Sequence, residues 1–238
     1  MVVIVGPTAV GKTSVSIALA QRLNGEIVSA DSRLLYRGMD IGTAKPTTEE
    51  MQNIPHHLID VADPDEIWSL AIYQQEAYRI IDDIQARDKL PFLVGGTGQY
   101  IRSIIEGWRI PPQRPDYDIR EALNHWADAI GAERLHERLA RLDPEAASMI
   151  DYRNLRRTVR ALEVILKTGE RFSDLRRKQE CRYEAIILGI TRPREELYLR
   201  VDNRITQMLE EGLVDEVKGC LLYTSPSPRD RTRSRMPS

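Results

Sequence analysis

Short apolar runs alternate with helical stretches through the first hundred residues. Met1–Val5 is a β-branched run leading into Gly6, and Thr13–Leu23 carries Val15, Ile17, Ala18 and Leu19 at helical spacing, so the chain opens as strand, turn, helix. A second apolar run, Glu26–Ala30, ends at Asp31, and a third, Leu90–Val94, ends at Gly95-Gly96-Thr97-Gly98. Both are predicted strands with polar residues at their carboxyl ends. Between them Ser69 is placed to cap a helix running to Asp88, with Ile72, Ala77, Ile80, Ile81 and Ile84 among its buried positions. Strands alternating with helices predict an α/β fold with a parallel, doubly wound sheet.

The pattern changes near Ile110. Ile110-Pro111-Pro112-Gln113-Arg114-Pro115 breaks the chain, and helical periodicity without strands continues to about Arg177, which predicts an all-helical insertion domain. Tyr183–Ile190 reads as a returning central strand, followed by a helix over Arg194–Glu211 that Gly212 terminates. The expected organisation is a core at 1–109, a helical insertion at 110–180, the second part of the core at 181–222 and a tail at 223–238. That tail holds Ser, Pro and Arg without periodic apolar positions, too little to order itself. Because the helical pattern stops abruptly before it, the expectation is a disordered or non-native end on an interrupted reading frame. No function is assigned to it.

Composition adds exclusions. With 42% apolar and 29% charged residues in 238, the chain is neither a disordered tail nor a fibre. No apolar run approaches the ~18 residues needed to span a bilayer, and the amino terminus opens on a strand instead of a charged leader. A cytoplasmic setting with no membrane contact is the expectation. Cys181 and Cys220 lack the count and spacing of a disulfide framework or zinc site. The net charge of −2 hides an imbalance, because Arg229, Arg231, Arg233 and Arg235 against Asp230 put +3 in the tail and leave −5 for residues 1–222. An anionic partner would have to be drawn by local basic patches.

The chemistry is concentrated in a few places. Gly6-Pro7-Thr8-Ala9-Val10-Gly11-Lys12-Thr13 matches G-x-x-x-x-G-K-[ST] between a predicted strand and a predicted helix, which makes the sheet P-loop-type. Its backbone amides and the helix amino terminus suit phosphate oxygens, Lys12 neutralises charge, and Thr13 can hold Mg²⁺. The motif specifies a di- or triphosphate, not a nucleotide. An ATPase or GTPase would add a strand ending in an acid for the metal, yet Leu90–Val94 ends in Gly-Gly-Thr-Gly. The acid lies instead on the second strand, where Asp31 is aimed at the phosphate crevice. It can serve as general base, or equally as a metal-shell ligand or a cap for the following turn.

Arg153, Arg156, Arg157 and Arg160 follow i, i+3, i+4, i+7 spacing opposite Leu155, Val159, Leu162 and Leu166. Such a stripe is usually a solvated face, but four arginines with no acid among them can grip a nucleic-acid backbone. His56-His57 lacks a surrounding acid cluster and reads as structural. Trp68, Trp108 and Trp126 read as packing rather than base-stacking residues.

Taken together, Gly6 to Thr13, Ala30-Asp31-Ser32-Arg33, Tyr36 to Pro46, Val94 to Gly98 and Arg160-Ala161-Leu162-Glu163-Val164 resemble the tRNA dimethylallyltransferase (isopentenyl-tRNA transferase) family. The resemblance runs from residue 1 to about Lys218. Asp40-Ile41-Gly42-Thr43-Ala44-Lys45-Pro46 is its most specific block. It implies transfer of a dimethylallyl group from dimethylallyl diphosphate to N6 of the adenine 3′-adjacent to the anticodon, with Mg²⁺ as cofactor. By position in the matching motifs, Asp31 would take the N6 proton and Thr97 would orient the diphosphate or amine. Lys12, Thr13 and Arg204 would assist the departing diphosphate. The tRNA contacts implied are Asp31, Ser32, Arg33, Leu34, Thr97, Arg120, Arg156, Arg157 and Arg160, and the target adenine would be flipped from its stack. A monomer is expected.

The chain departs from the family pattern at Leu34, where many relatives carry glutamine, and at Gln99, often apolar. Relatives also continue past Lys218 into further helices, so a truncated chain with weakened tRNA binding is expected. The alternative from another enzyme class is a small P-loop kinase for a nucleoside or metabolite, with Asp31 activating a hydroxyl. A non-catalytic RNA-binding module with a decayed phosphate loop is weaker, because Lys12, Thr13, Asp31 and Thr97 are intact.

Overall fold

The computed structural model describes residues 1–110, 116–174 and 181–223. The proline-rich break and the tail from 224 onward therefore lie outside the described residues, as does the end of the helical stretch near Arg177. Five parallel strands form one sheet: β1 (Val2–Val5), β2 (Gly25–Ser29), β3 (His56–His57), β4 (Leu90–Gly95) and β5 (Ile186–Gly189), in the order β3-β2-β4-β1-β5. Helix α1 (Lys12–Arg22) follows β1. The single turn α2 (Thr48–Met51) precedes β3, α3 (Leu70–Ala86) precedes β4, and α4 (Gly98–Ile105) follows β4. After β5 come α9 (Arg194–Glu210) and α10 (Leu213–Tyr223).

The period-2 pattern of the strands sorts the core into two faces. Val3, Val28 and Leu93 pack with Tyr73, Ala77, Ile81 and Ile84 of α3 and Ile101 and Ile104 of α4. Val2, Ile4, Ile27, Phe92 and Val94 face the other way, onto Ile17 and Ala20 of α1. Helices thus cover both faces of a parallel sheet whose strands β1 and β4 are apolar throughout, while β2 between β3 and β4 also buries Glu26 and Ser29. Ser69 caps α3 as its spacing requires, its side chain accepting from the Ile72 amide at 3.3 Å.

Two details correct the sequence expectation. In α1 the buried face is Ser16, Ile17 and Ala20, while Val15 and Ala18 are exposed. Ser16 tolerates burial because its hydroxyl donates to the Thr13 carbonyl one turn back at 2.8 Å. The strand expected to return to the centre, β5, is instead at the edge: among the described residues it pairs only with β1, and Ile186 and Ile187 are 65% and 53% exposed. An apolar run alone does not distinguish a central from an edge strand.

The chain divides into two compact units, Met1–Ile105 with the chain from Arg182 onward, and Glu106–Cys181. The second is helical among its described residues: α5 (Tyr117–Ile130), α6 (Ala132–Leu142), α7 (Pro144–Met149) and α8 (Leu155–Thr168). Its core is Leu123, Ala127, Leu135, Leu139, Ile150, Val159 and Leu162. Arg153 precedes α8, which Asn154 caps, so the expected arginine stripe is shorter than its spacing implied. Leu166, expected on the buried face, is 60% exposed, and Glu163 is buried in its stead. No described helix is long and apolar enough to cross a membrane.

Candidate active site

Strands β1, β2 and β4 all end at one edge of the sheet, and the segments leaving them form the site. Beyond β1 the loop Gly6–Gly11 turns into α1. Gly11 precedes the helix in the left-handed region (φ 100°) and offers no side chain to cap it, so the first-turn amides of α1 have no side-chain acceptor there. Lys12 folds back over the loop, its Nζ donating to the Gly6 carbonyl at 3.0 Å and the Pro7 carbonyl at 2.9 Å. An ammonium has three donors. Two are directed at carbonyls, which leaves one for an anion above the loop. Val10 is buried and its role in the loop is packing.

β2 and β4 approach closely at the same edge. A Cβ on Gly95 would lie 2.2 Å from the Ala30 carbonyl oxygen, so only glycine fits. The Ala30 amide donates to the Val94 carbonyl at 2.7 Å and the Thr97 amide to the Ala30 carbonyl at 3.1 Å. This register brings Thr97 against Ala30 and Ser32, the two chain neighbours of Asp31. The Ser32 amide donates to Thr97 Oγ1 at 3.1 Å, and the Arg33 amide to Asp31 Oδ1 at 3.0 Å. Asp31 therefore does cap the following turn, but with one oxygen, and its carboxylate is oriented by doing so. Gly96 borders Lys12: a Cβ there would come within 4.0 Å of Lys12 Nζ.

The charges act on one another. Burial lowers the Lys12 ammonium below its ordinary pKa, Asp31 opposes that shift, and Arg204 reinforces it. Burial likewise lowers Arg204, with Asp31 and Glu50 opposing. The Tyr100 phenol is pushed up to about 12 by burial, then by Tyr36 and Asp31. Lys12, Thr13, Asp31, Arg33, Leu34 and Arg204 line a single open cavity of about 1440 Å³, shared with Asp40 to Thr47. Thr97 and Ser32 bond to each other next to Asp31 but are not on the cavity wall. The donor set suits a hard cation held mainly by substrate and water: the Thr13 hydroxyl and the Asp31 carboxylate are both on the cavity wall, and no group of three or more His, Cys, Asp or Glu among the described residues forms a protein cage.

Three residues of this site carried no role in the sequence. Arg192 Nε donates to the Val10 carbonyl at 2.9 Å and Arg200 Nε to the Ala9 carbonyl at 2.7 Å, so the arm after β5 grips the Gly6–Gly11 loop. The spacing of Arg200 and Arg204, one turn apart on α9, was the available signal. Lys45, inside the Asp40 to Pro46 block, donates to the Tyr36 carbonyl at 2.9 Å and to Asp40 at 2.5 Å, and also pairs with Asp60.

The model of the IPP transferase family matches residues 34–235. The chain belongs to the IPP transferase family. A tRNA dimethylallyltransferase of Roseiflexus sp. (strain RS-1) is 54% identical over 217 residues, covering 91% of this chain and 71% of that protein. One from Halalkalibacterium halodurans is 48% identical over 221 residues, covering 92% and 70%. Among solved structures, the full-length tRNA isopentenylpyrophosphate transferase of Bacillus halodurans superposes with a TM-score of 0.62 at 48% identity, covering 92% of this chain and 68% of that one. A eukaryotic dimethylallyltransferase acting on tRNA gives 0.79 at 30% identity, covering 94% and 56%. The names of these family members leave the small-kinase alternative without support.

The remaining sequence candidates lie in the helical unit. Arg156 and Arg157 are exposed on α8. Arg120 and Arg160 are not unopposed cations: Arg120 Nε and Arg160 Nη1 both donate to Glu163 Oε2 at 2.8 Å, and the Asp116 amide donates to Glu163 Oε1 at 2.7 Å. The stripe thus does have an acid, hidden one turn along the same helix. The histidines also have an acid nearby, since His57 Nε2 lies 2.8 Å from Glu26 Oε2, while His56 Nδ1 lies 2.8 Å from the Ile54 carbonyl. Trp126, expected to pack, is 43% exposed.

Proposed function

We propose that the chain transfers a dimethylallyl group from dimethylallyl diphosphate to N6 of the adenine 3′-adjacent to the anticodon of tRNA. Family membership and the names of the relatives support the reaction class. The observation that carries the assignment of residues is the meeting of Lys12, Asp31 and Arg204 on one cavity beside an uncapped helix start. Lys12, Arg204 and the positive end of α1 gather around Asp31 there, on a cavity wall that also carries Asp40, Glu49, Glu50 and Glu211 beside Arg33, Lys45 and Arg200. The cations beside the helix start suit a diphosphate, and Asp31 suits a proton.

In the reaction the bond from N6 to the allylic carbon forms, the bond from that carbon to the diphosphate oxygen breaks, and N6 gives up a proton. Asp31, held by the Arg33 amide through one oxygen, accepts that proton on the other. Negative charge grows on the departing diphosphate, so Lys12, Arg204 and the first-turn amides of α1 stabilise the transition state more than the bound substrate. Mg²⁺ held by Thr13 would add positive charge at the same oxygens. Thr97, whose oxygen accepts from the Ser32 amide, turns its hydroxyl from the long 3.4 Å bond to Ser32 Oγ toward the diphosphate or the amine. Ser32, Arg33 and Leu34 border the adenine, while Arg120, Arg156, Arg157 and Arg160 belong to a tRNA-binding helical unit. The proposal includes a P-loop core, action as a monomer and a cytoplasmic setting.

The test is transfer of radiolabelled dimethylallyl from its diphosphate to unmodified tRNA with Mg²⁺, comparing the chain with Asp31→Ala. Label in tRNA that disappears in the variant is the expected result. Phosphorylation of a nucleoside from ATP, with no label in tRNA, overturns it.

A further inference from the structure

The segment from Asp40 to Pro46 lines the same cavity as Thr8, Ala9 and Gly11 to Thr13, yet none of its side chains has been given a part in the reaction. What holds it is a residue far along the chain. Glu216 of α10 accepts from three successive amides: Asp40 at 2.8 Å and Ile41 at 2.7 Å on Oε2, and Gly42 at 2.9 Å on Oε1. Charge-assisted bonds to backbone amides are about twice as strong as neutral ones. A Cβ on Gly42 would meet Leu213 Cδ1 at 3.1 Å and Glu216 Oε1 at 3.3 Å, so glycine is what lets the carboxylate sit this close. Two residues on, the Ala44 carbonyl accepts from Arg204 Nη2 at 3.4 Å. Arg204 is the cation whose field reaches both Lys12 and Asp31.

We propose that Glu216 is a positioning residue. By fixing the amides of Asp40 to Gly42 it sets the Ala44 carbonyl, and through it holds the Arg204 guanidinium in place for the diphosphate. This rests on the function proposed above for the same site. Glu216 touches no substrate. It acts through one arginine, and that distinguishes it from a carboxylate that merely joins α10 to the rest of the core.

The experiment measures binding of inorganic diphosphate with Mg²⁺ by calorimetry, and transfer kinetics, for the full chain carrying Glu216→Ala, Glu216→Gln, Arg204→Ala and Glu216→Ala/Arg204→Ala. Glu216→Ala should weaken diphosphate about tenfold and lower kcat by a similar factor, with KM for tRNA unchanged. Added to Arg204→Ala it should cost nothing further, because the two act as one unit. Glu216→Gln, which retains the volume and one acceptor oxygen but turns an NH₂ toward an amide, should lose about threefold; it gives the readout if the alanine variant does not fold. Unchanged diphosphate binding in the glutamine variant, or losses that add in the double variant, overturn the proposal. A wild-type chain that binds diphosphate as described but transfers nothing to tRNA would sink the reaction and leave the positioning role standing.

Discussion

The two ends of the sheet use charge in opposite ways. At the amino ends of the strands, Glu26 of β2 is 1% exposed and saturated. It accepts from Arg87 at 2.5 and 2.8 Å and from Lys89 at 2.7 Å, and His57 lies 2.8 Å away. Its carboxyl is held well below the usual carboxylate range, chiefly by Arg87, against the opposing effect of burial. At the carboxyl ends, Lys12 and Arg204 are directed at backbone carbonyls and share one carboxylate, Asp31. A buried acid whose cations are complete fixes structure and has nothing left to offer a ligand. Cations that donate to backbone carbonyls on the wall of a cavity, instead of closing on a buried acid, are arranged for an anion that arrives later.

Breaking the carboxyl end should cost catalysis and little stability. Lys12→Ala removes a donor aimed at the charge that grows on the diphosphate, and kcat/KM should fall about a thousandfold, or about 4 kcal/mol. The melting temperature should hold, because only two carbonyls at the cavity edge lose a partner. A melting temperature that falls as far as the activity would mean that Lys12 is structural and erase the contrast between the ends.

Breaking the amino end should do the reverse. Glu26→Gln leaves Lys89 without its acid and Arg87 with Asp83 alone; both are about one-third exposed and can rehydrate. A loss of about 2 kcal/mol follows, which for a chain of this size lowers Tm by roughly 6 °C. The transfer rate at 25 °C should be unchanged. Acidity sharpens this. A carboxyl with a depressed folded-state pKa contributes its full stability above the unfolded value, roughly pH 4, and loses it as pH falls toward the folded value. The Tm gap between wild type and Glu26→Gln should therefore be constant at neutral pH and narrow below about pH 4. A gap that widens in acid would reverse the sign and refute the assignment.

How far the sequence revealed this contrast depends on distance along the chain. The Gly6–Gly11 loop between β1 and α1, the place of Asp31 after β2 and the Gly-Gly-Thr-Gly turn after β4 were legible because strand and turn are neighbours in sequence. The acid partners were not. Glu26 reads as the first polar residue of a strand, and nothing local says that Arg87 and Lys89 precede the strand beside it. Arg192, Arg200 and Glu216 grip loops between 174 and 191 residues away. Such contacts follow from strand order, which puts β5 next to β1 and so brings the following helices to the Gly6–Gly11 loop. The edge position of β5 was hidden for the same reason: apolar composition marks a strand and leaves its neighbours open.

The smallest expected effects lie in the helical unit, where the same distinction between satisfied and surplus charge divides one helix face. Arg160 shares Glu163 with Arg120, and Glu163 is fully buried, its carboxyl held below the ordinary value by the Asp116 amide and both arginines against burial. Arg157, one turn earlier, is exposed. Arg157→Ala should weaken tRNA binding a few-fold and reduce the salt dependence of that binding by about one unit of slope, with no change in melting temperature. Arg160→Ala should instead lower the melting temperature by a few degrees, since it strips one of two cations from a buried acid. Its effect on the salt slope should be smaller, because the charge it removes was already neutralised. If Arg160→Ala gives the larger change in salt slope, its guanidinium leaves Glu163 for a phosphate, and the buried acid is a resting place for that charge rather than its partner.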